Sequence, residues 1–308
     1  MPAIWIPKRL VEVSLINTAA ESAVSFVRHC EMEYEGRIHA AASEVLASGC
    51  RIVMLTGPSA SGKTTTANKL AAALRGRGCP AQVVSLDNFY KNLDDYPRLP
   101  DGSKDYENVT ALDMAEIHRC LAEVLAAGET LLPQFDFVTE TRKAQRTRLS
   151  VPGGVCVIEG IHALNPQLTE TLPAGSAYKI YAGLREEYSY KGLRVLPTRD
   201  VRLARRMLRD CKFRGHSIEK TLGMWAGVCA GEDKFIKVFK AEADLLLDTS
   251  FSYEICLLAP FAASLAGSLP DDHPLCETLN SLAGRFALVD ALDEALVPQS
   301  SMLREFLG

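Results

Sequence analysis

The stretch Gly57-Pro-Ser-Ala-Ser-Gly62-Lys63-Thr64 decides the fold of this 308-residue chain. It matches the pattern G-x-x-x-x-G-K-[ST], whose glycines let the backbone curl until successive N–H groups point into one concavity. A helix that begins near Lys63 adds the positive end of its dipole. Lys63 is expected to reach the β- and γ-phosphates of a nucleotide, and the Thr64 hydroxyl to bind Mg²⁺. The residues predicted to form this phosphate-binding loop are Gly57, Ser59, Ala60, Ser61, Gly62, Lys63, Thr64 and Thr65.

The segments around this loop alternate between strand-like and helix-like patterns. Apolar runs predict buried strands at 51–56, 81–86, 155–158, 178–182 and 245–247. Helical spacing predicts helices at 10–48, 64–75, 110–127, 199–213 and 217–242, and a mostly helical segment at 251–308. The polar residues 88–108 predict an exposed loop. Strands that alternate with helices predict an α/β fold, a mainly parallel sheet covered on both faces in three α/β/α layers.

Composition excludes several classes of protein. Hydrophobic residues make up 47% and charged residues 23%, which is typical of a globular protein and excludes a long disordered chain. The net charge of −4 argues against a dedicated nucleic-acid binder. The nine cysteines lack C-x-x-C spacing, which predicts reduced thiols rather than disulfides or a zinc site. No apolar run approaches the ~20 residues of a membrane span. We therefore expect a cytoplasmic protein without nucleic-acid or membrane partners.

Acidic residues end two of the predicted strands, at the sheet edge where α/β proteins bind ligands. Asp87 follows the strand at 81–86, where it either accepts a proton from a substrate hydroxyl that attacks the γ-phosphate or caps the next turn. Glu159 follows the strand at 155–158, a placement that favours a role in holding Mg²⁺ over that of a plain surface glutamate.

A basic segment and an aromatic pair complete the candidate residues. Residues 199–214 contain seven Lys or Arg and two Asp, so an anionic ligand is expected to offset the charge. Phosphate is the favoured anion and nucleic acid the rival one. With Gly215 as a hinge, residues 199–216 are predicted to close as a lid. Phe135 and Phe137 share one side of a predicted strand, either as core residues or as a stacking pocket for a planar ring.

These motifs together resemble the uridine kinase and phosphoribulokinase family of P-loop NTPases. The matching pieces are GPSASGKTT at 57–65, SLDNFY at 85–90, PQFDF at 133–137, VIEGIHAL at 157–164 and RLARRMLRD at 202–210. HCEMEYEGRI at 29–38, RFALVDAL at 285–292 and the ending LVPQSSMLREFLG are similar to a bacterial uridine kinase-like subgroup. The resemblance covers about residues 50–250. It implies a kinase domain there, with a helical arm at 1–49 and a helical appendage at 251–308.

The resemblance also implies roles for individual residues. Lys63, Asp87 and Arg206 would act in catalysis, with Asp87 as general base, while Thr64 and Glu159 would serve Mg²⁺. Arg209 and Arg214 would reach the phosphates of ATP or GTP. The substrate pocket would comprise Asp87, Tyr90, Phe135, Phe137, Arg142, His162 and Arg206. The family also admits homo-oligomers.

Two positions depart from the family pattern and bear on the acceptor. Glu140 stands where uridine kinases usually have a histidine, and Met224 where they have a glutamine that reads the base. A methionine cannot both donate and accept hydrogen bonds at a pyrimidine edge. The sequence therefore predicts an ATP-dependent kinase of a small-molecule hydroxyl, most simply of a nucleoside such as uridine or cytidine. The alternatives are a kinase of another alcohol or sugar, and a nucleotide-sensing ATPase.

Overall fold

The structure, a computed structural model, describes residues 7–98, 102, 104–105, 108–136 and 139–308. Its strands in chain order are β1 (Arg9–Glu12), β2 (Ile52–Thr56), β3 (Ala81–Ser85), β4 (Glu129–Leu132), β5 (Phe135–Asp136), β6 (Thr141–Arg142), β7 (Thr147–Ser150), β8 (Val155–Glu159), β9 (Ala177–Gly183), β10 (Glu186–Tyr190), β11 (Leu193–Leu196) and β12 (Leu245–Asp248). Its helices are α1 (Val13–Ala20), α2 (Ala23–Ser48), α3 (Lys63–Arg75), α4 (Met114–Ala127), α5 (Thr198–Phe213), α6 (Ile218–Phe235), α7 (Glu254–Ala263), α8 (Cys276–Phe286) and α9 (Arg304–Leu307).

A parallel sheet in the order β12-β9-β2-β8-β3 forms the centre of the described part of the chain. The five predicted strands are its members, which confirms the predicted α/β class. β2 lies between β8 and β9, both of which come from a much later part of the sequence than β2. Open α/β sheets bind ligands at the carboxyl ends of their strands, beside such a crossover. The loop after β2 therefore starts at the expected crevice.

The sheet separates two hydrophobic cores because successive side chains of a strand point to opposite faces. Val53 and Leu55 of β2 pack into one core with α2, α3, α5 and the carboxyl-terminal helices. Ile52 and Met54 pack into the other core, which α4 covers. Both faces of β2 are thus buried, which explains its unbroken apolar sequence. The arrangement is the predicted three-layer α/β/α sandwich.

The helical additions at both ends pack into the first of these cores. Tyr34 of α2 is fully buried and hydrogen-bonds to the Thr66 hydroxyl of α3 at 2.8 Å. The buried Glu31 of α2 accepts hydrogen bonds from the hydroxyls of Tyr253 and Ser301, each at 2.6 Å. The two ends of the chain therefore meet behind α3, the helix that follows the phosphate loop.

Several predicted boundaries are wrong where tertiary contacts override local patterns. Residues 10–48 are not one helix, because Arg9–Glu12 forms β1 and pairs in parallel with β10. The helix predicted at 110–127 begins at Met114, since the Asp113 side chain caps it by accepting the Glu116 N–H at 3.0 Å. The helix predicted at 217–242 ends as an α-helix at Phe235, and residues 237–242 continue as a 3₁₀ turn.

Most of the smaller β elements were not predicted, except β5, which lies on the strand predicted to carry Phe135. β1, β10 and β11 form a three-stranded sheet beside the central one, and the pairs β4–β7 and β5–β6 are antiparallel. A 3₁₀ turn at Leu86–Phe89 joins the end of the strand predicted at 81–86 to the predicted exposed loop, and it buries Leu86 and Phe89. Within the described residues, no helix has both the length and the apolar character needed to cross a membrane. All nine cysteines are free thiols.

Candidate active site

The phosphate loop runs from the end of β2 to the start of α3 and forms a tight cradle. A Cβ atom on Gly57 would lie 2.3 Å from the carbonyl oxygen of Ala182 on β9, so the position has no room for a side chain. Gly62 has φ +79° and Ala60 has φ +56°, both in the left-handed region that the turn requires. The buried Ser61 hydroxyl has no hydrogen-bond partner among the described residues. An unsatisfied polar atom within such a cradle fits a loop built to receive phosphate oxygens.

Charged groups from three parallel strands meet at this loop. The Thr64 hydroxyl donates to Glu159 Oε2 at 3.2 Å, which joins the two predicted Mg²⁺ ligands. Glu159 at the end of β8 is only 4% exposed. Burial raises the pKa of Glu159, and the positive charge of Lys63 opposes that rise. A hydroxyl and a carboxylate at the mouth of a phosphate loop form a donor set that suits Mg²⁺ shared with nucleotide phosphates.

Asp87 lies at the end of β3 and faces the same cleft. Ser85, not Asp87, caps the following turn, since its hydroxyl accepts the Asp87 N–H at 3.3 Å. The capping interpretation of Asp87 is therefore wrong. The Asp87 side chain opens to solvent at the cleft mouth, while protein surrounds it on its other sides. This partial desolvation raises the pKa of Asp87, and the charges of Lys63 and Arg214 oppose the rise.

The basic helix α5 buries one face in the core, and the closure of 199–216 as a lid stays a prediction. Arg205 is fully buried and pairs with Glu254 of α7 at 2.6 Å. Arg202 pairs with Glu232 of α6, also at 2.6 Å, with both side chains buried. The expected shortage of acidic partners is therefore wrong for these two arginines, since their carboxylates come from α6 and α7. Lifting α5 would expose two paired charges that the fold has desolvated.

These two buried ion pairs also fix the phosphate loop from behind. Arg202 donates to the Ser59 carbonyl at 2.8 Å, and the Ser59 N–H donates to Glu232 at 2.8 Å. Arg205 donates to the Ala60 carbonyl at 3.2 Å. Sequence reasoning missed Glu232 and Glu254 because single acids on helices carry no motif. Their roles follow only from the packing of α6 and α7 behind the loop.

Three other arginines converge on one buried carboxylate. Asp210 is within 3.3 Å of Arg206, 2.9 Å of Arg209 and 3.6 Å of Arg214. Arg206 also donates to the Ser59 hydroxyl at 2.8 Å, so this cluster borders the phosphate loop. Three guanidinium groups on one carboxylate leave excess positive charge there. The structure thus brings Arg209 and Arg214, which the resemblance assigned to the phosphates, together with Arg206, which it assigned to catalysis and the substrate.

The carboxyl terminus contributes residues that the sequence did not indicate as part of the site. Met302 packs against Gly62, so closely that a Cβ atom on this glycine would lie 2.3 Å from the methionine sulfur. Glu305 of α9 accepts a hydrogen bond from the Thr65 hydroxyl at 2.6 Å. Lys212 of α5 donates to the Leu307 carbonyl at 2.8 Å. The ending of the chain therefore lies across the start of α3.

The predicted substrate residues fall into two groups. Tyr90 stacks on Tyr96 with ring centres 5.7 Å apart, and it lies 5.8 Å from the ring of Phe135. These rings follow Asp87 directly and form an aromatic surface beside it. Phe137 lies outside the described residues. Met224 is exposed on α6, and Glu140 is half-buried with φ +54°.

Arg142 and His162 occupy positions that differ from a simple substrate contact. The Arg142 guanidinium donates to the carbonyls of Tyr90 and Phe89, at 2.9 and 3.2 Å, and to Asp113 at 2.8 Å. Through these hydrogen bonds, Arg142 holds the segment after Asp87 in place. His162 is buried, with its ring edge-on to that of Phe235 at 6.2 Å. Both residues therefore support the walls of the cleft.

Comparisons with known proteins agree with this geometry. The model of the Phosphoribulokinase / Uridine kinase family matches residues 52–254. A uridine kinase from Deinococcus deserti is 28% identical over 197 residues, which cover 64% of this chain and 86% of that protein. A uridine kinase from Halobacterium salinarum is 30% identical over 195 residues, covering 63% of this chain and 77% of the relative.

Among solved structures, the phosphoribulokinase from Rhodobacter spheroides superposes with a TM-score of 0.43 at 18% identity. The superposition covers 67% of this chain and 74% of that enzyme. The family model spans most of the chain, including the loop after β2 and the acidic ends of β3 and β8. The chain belongs to the phosphoribulokinase and uridine kinase family of small-molecule kinases.

Proposed function

We propose that this protein transfers the γ-phosphoryl group of ATP to a hydroxyl of a small molecule that carries a planar ring, such as a nucleoside. The observation that carries the proposal is the position of Asp87. Asp87 lies in the turn directly after β3, where the charge of Lys63 acts on its carboxylate, and the aromatic surface of Tyr90, Tyr96 and Phe135 begins three residues later. A base and a ring-binding surface next to a phosphate loop are what an alcohol kinase needs.

The nucleotide side of the cleft is supported by the cradle described above. Its backbone N–H groups and Lys63 would hold the phosphates, and the Asp210 arginine cluster would balance their charge. Thr64 and Glu159 would hold Mg²⁺, which supplies neutralisation of phosphate charge when bound. The two buried ion pairs behind Ser59 and Ala60 keep the loop preorganised, so its shape need not form during the reaction.

On the acceptor side, Asp87 would orient the hydroxyl and accept its proton as oxygen attacks phosphorus. Desolvation by the surrounding protein raises its pKa, which makes it a stronger base than a fully solvated aspartate. Arg142 fixes the backbone of Phe89 and Tyr90, so the base and the aromatic surface keep their relative position. Met224 on α6 leaves the recognition of a pyrimidine edge to other groups, so the proposal names a planar ring and no particular base.

The test is ADP release measured over a panel of nucleosides, sugars and polyols, with product phosphorylation followed by ³¹P NMR. The variant Asp87→Asn should bind ATP as the wild type does and lose most turnover, by about 10²-fold or more. Asp94→Asn is the matched control, because Asp94 lies in the next 3₁₀ turn of the chain and its side chain is fully exposed. Its one ion pair among the described residues, with Lys104, is long at 4.0 Å. The turnover of Asp94→Asn should be unchanged.

The panel also separates the alternatives. ADP release stimulated by sugars or polyols but by no nucleoside would support a kinase of another alcohol and would disprove the ring-bearing acceptor. ADP release that no alcohol stimulates would support a nucleotide-sensing ATPase. Wild-type turnover by Asp87→Asn would show that another group accepts the proton.

A further inference from the structure

A second cavity lies beside the phosphate loop, on the far side from Asp87. It has a volume of about 500 Å³, which is within the range of small-molecule binding sites. Its walls come from the carboxyl end of β9, the added sheet of β1, β10 and β11, the start of α5 and the turn at 237–242. Lys63, Asp87 and Glu159 do not line it. The cavity is therefore separate from the catalytic groups.

The lining of this cavity is strongly basic. Among the described residues, seven Lys or Arg side chains line it against two acidic ones, Glu187 and Asp200. Glu187 forms ion pairs with Lys8, at 2.5 Å, and with Arg194, at 3.1 Å. Asp200 is paired with Arg285, outside the cavity. Glu187 thus balances two of the seven lining cations, Asp233 is shared by Arg199 and Lys237, and Arg202 pairs with Glu232. The basic groups still outnumber these acidic partners, so the cavity keeps an excess of positive charge.

Arg185 is the clearest sign of a missing ligand. It follows β9 directly, is only 5% exposed and lines the cavity. Its Nη2 atom is buried and has no hydrogen-bond partner in the part of the chain that the structure describes. Its backbone N–H is satisfied by the side chains of Asp248 and Ser250, at 3.2 and 2.7 Å, so the side chain alone lacks its full set of bonds. A buried charged donor without a partner is costly, and native proteins normally satisfy it.

Lys240 approaches the same space from the opposite wall. Its ammonium lies 5.3 Å from the ring centre of Tyr181, which forms the apolar side of the cavity. Burial, together with the like charges of Arg185, Lys8 and Lys237, lowers the pKa of Lys240 to about 8. Arg185 and Lys240 both line the cavity, so an anion bound in it would offset the like charges that lower the pKa of Lys240.

We propose that this cavity is a binding site for a small phosphorylated molecule, whose phosphate is held by Arg185 and Lys240. The guanidinium plane suits bidentate contact with phosphate oxygens, and the ammonium supplies a second charge. The remaining volume, walled by Tyr181 and Leu184, accommodates the rest of the ligand. The site does not depend on the acceptor or donor assigned above.

The cavity also shares a side chain with the phosphate loop. Arg202 lines it together with Pro58, and the same guanidinium donates to the Ser59 carbonyl. A ligand in the cavity therefore touches the wall that fixes the loop. Through Arg202, a ligand bound in the cavity would act directly on the position of the phosphate loop.

The experiment measures binding of inorganic phosphate to the full chain by isothermal titration calorimetry in magnesium-free buffer. The Lys63→Ala variant removes the main cation of the phosphate loop, so binding that survives in it reports the second site. On this background, Arg185→Gln and Lys240→Gln should each weaken phosphate binding by tenfold or more. Arg148→Gln is the control, because Arg148 is an exposed partner of Glu129 outside the cavity, and its binding should be unchanged.

The outcomes decide the proposal in every case. Loss of binding in both cavity variants, with the control unaffected, supports it. The proposal is overturned if the Lys63→Ala variant without any cavity substitution binds no phosphate. It is also overturned if either cavity substitution leaves phosphate binding unchanged. Should Arg185→Gln fail to fold, as judged by circular dichroism, Lys240→Gln on the rim of the cavity decides alone. The cavity substitutions are also made in the chain that keeps Lys63, and the ATP affinity of the folded variants is measured. An unchanged ATP affinity shows that the cavity result is independent of the proposed kinase site.

Discussion

The Thr65 hydroxyl donates a hydrogen bond to Glu305 Oε2 at 2.6 Å, which joins the helix of the phosphate loop to a helix 240 residues later. Glu305 belongs to α9, the last helix of the chain. Its carboxylate thus stands beside the loop that the chain uses for polyphosphate. A negative charge at this position repels the phosphates that the rest of the site attracts.

The first prediction removes that charge while keeping the hydrogen bond. In Glu305→Gln, the amide oxygen still accepts from Thr65, so the contact between α3 and α9 is retained. Losing a charge next to the phosphates should tighten ATP binding by roughly threefold to tenfold, about 1 kcal/mol. Calorimetry measures the affinity, and Glu294→Gln is the control, since Glu294 pairs with Lys212 at the surface. Weaker ATP binding by Glu305→Gln would instead assign Glu305 to positioning Thr65.

A second prediction concerns pH. Asp87 must be ionised to accept a proton, and the positive charge of Arg214 opposes the burial that raises its pKa. Arg214→Gln removes that charge, so the pKa of Asp87 should rise further. The acid limb of kcat/KM against pH should then move to higher pH, because a higher pH is needed to deprotonate the base. An acid limb that stays in place, or moves to lower pH, would exclude Asp87 as the titrating group.

The central architecture could be predicted because its signals are local. The motif at Gly57–Thr64 indicates phosphate binding by itself. Each buried parallel strand is a short apolar run that differs clearly from the helices on either side of it. Asp87 and Glu159 follow such strands, so their meeting at one sheet edge follows from the topology. The start of β1 could not be found in this way. Arg9–Glu12 has a charged residue at each end and no unbroken apolar run, and its partner β10 lies about 177 residues away.

The partners of the arginines could not be predicted for a related reason. Counting charges within 199–214 suggested unpaired cations, yet Glu232 and Glu254 reach Arg202 and Arg205 from two later helices. Sequence distance hides such pairs, because an acid on a distant helix carries no sign of what it faces. The arginines that border the cleft, Arg206, Arg209 and Arg214, share a single buried carboxylate. For these three the expectation of excess positive charge was sound.

A third prediction tests the buried pair behind Ser59. Glu232→Gln leaves the Arg202 charge buried and unbalanced, so the free energy of unfolding should fall by about 3–5 kcal/mol. Asp233→Asn on the same helix is the control, because Asp233 pairs with Arg199 at the surface and its loss should cost about 1 kcal/mol or less. Urea denaturation measures both. Equal losses in the two variants would show that the Glu232 pair is not desolvated as the structure describes.

The last prediction compares two glycines that differ only in their surroundings. A Cβ atom on Gly57 would lie 2.3 Å from the Ala182 carbonyl, and backbone on a central strand cannot move aside. Gly57→Ala should therefore distort the phosphate loop, lower stability and abolish ATP binding. Gly36→Ala is the matched substitution within α2, where nothing lies within 4 Å of the added methyl. There alanine should raise the free energy of unfolding by roughly 0.5–1 kcal/mol through its helix propensity. Calorimetry and urea denaturation measure the pair, and ATP binding retained by Gly57→Ala would contradict the close contact between the loop and β9.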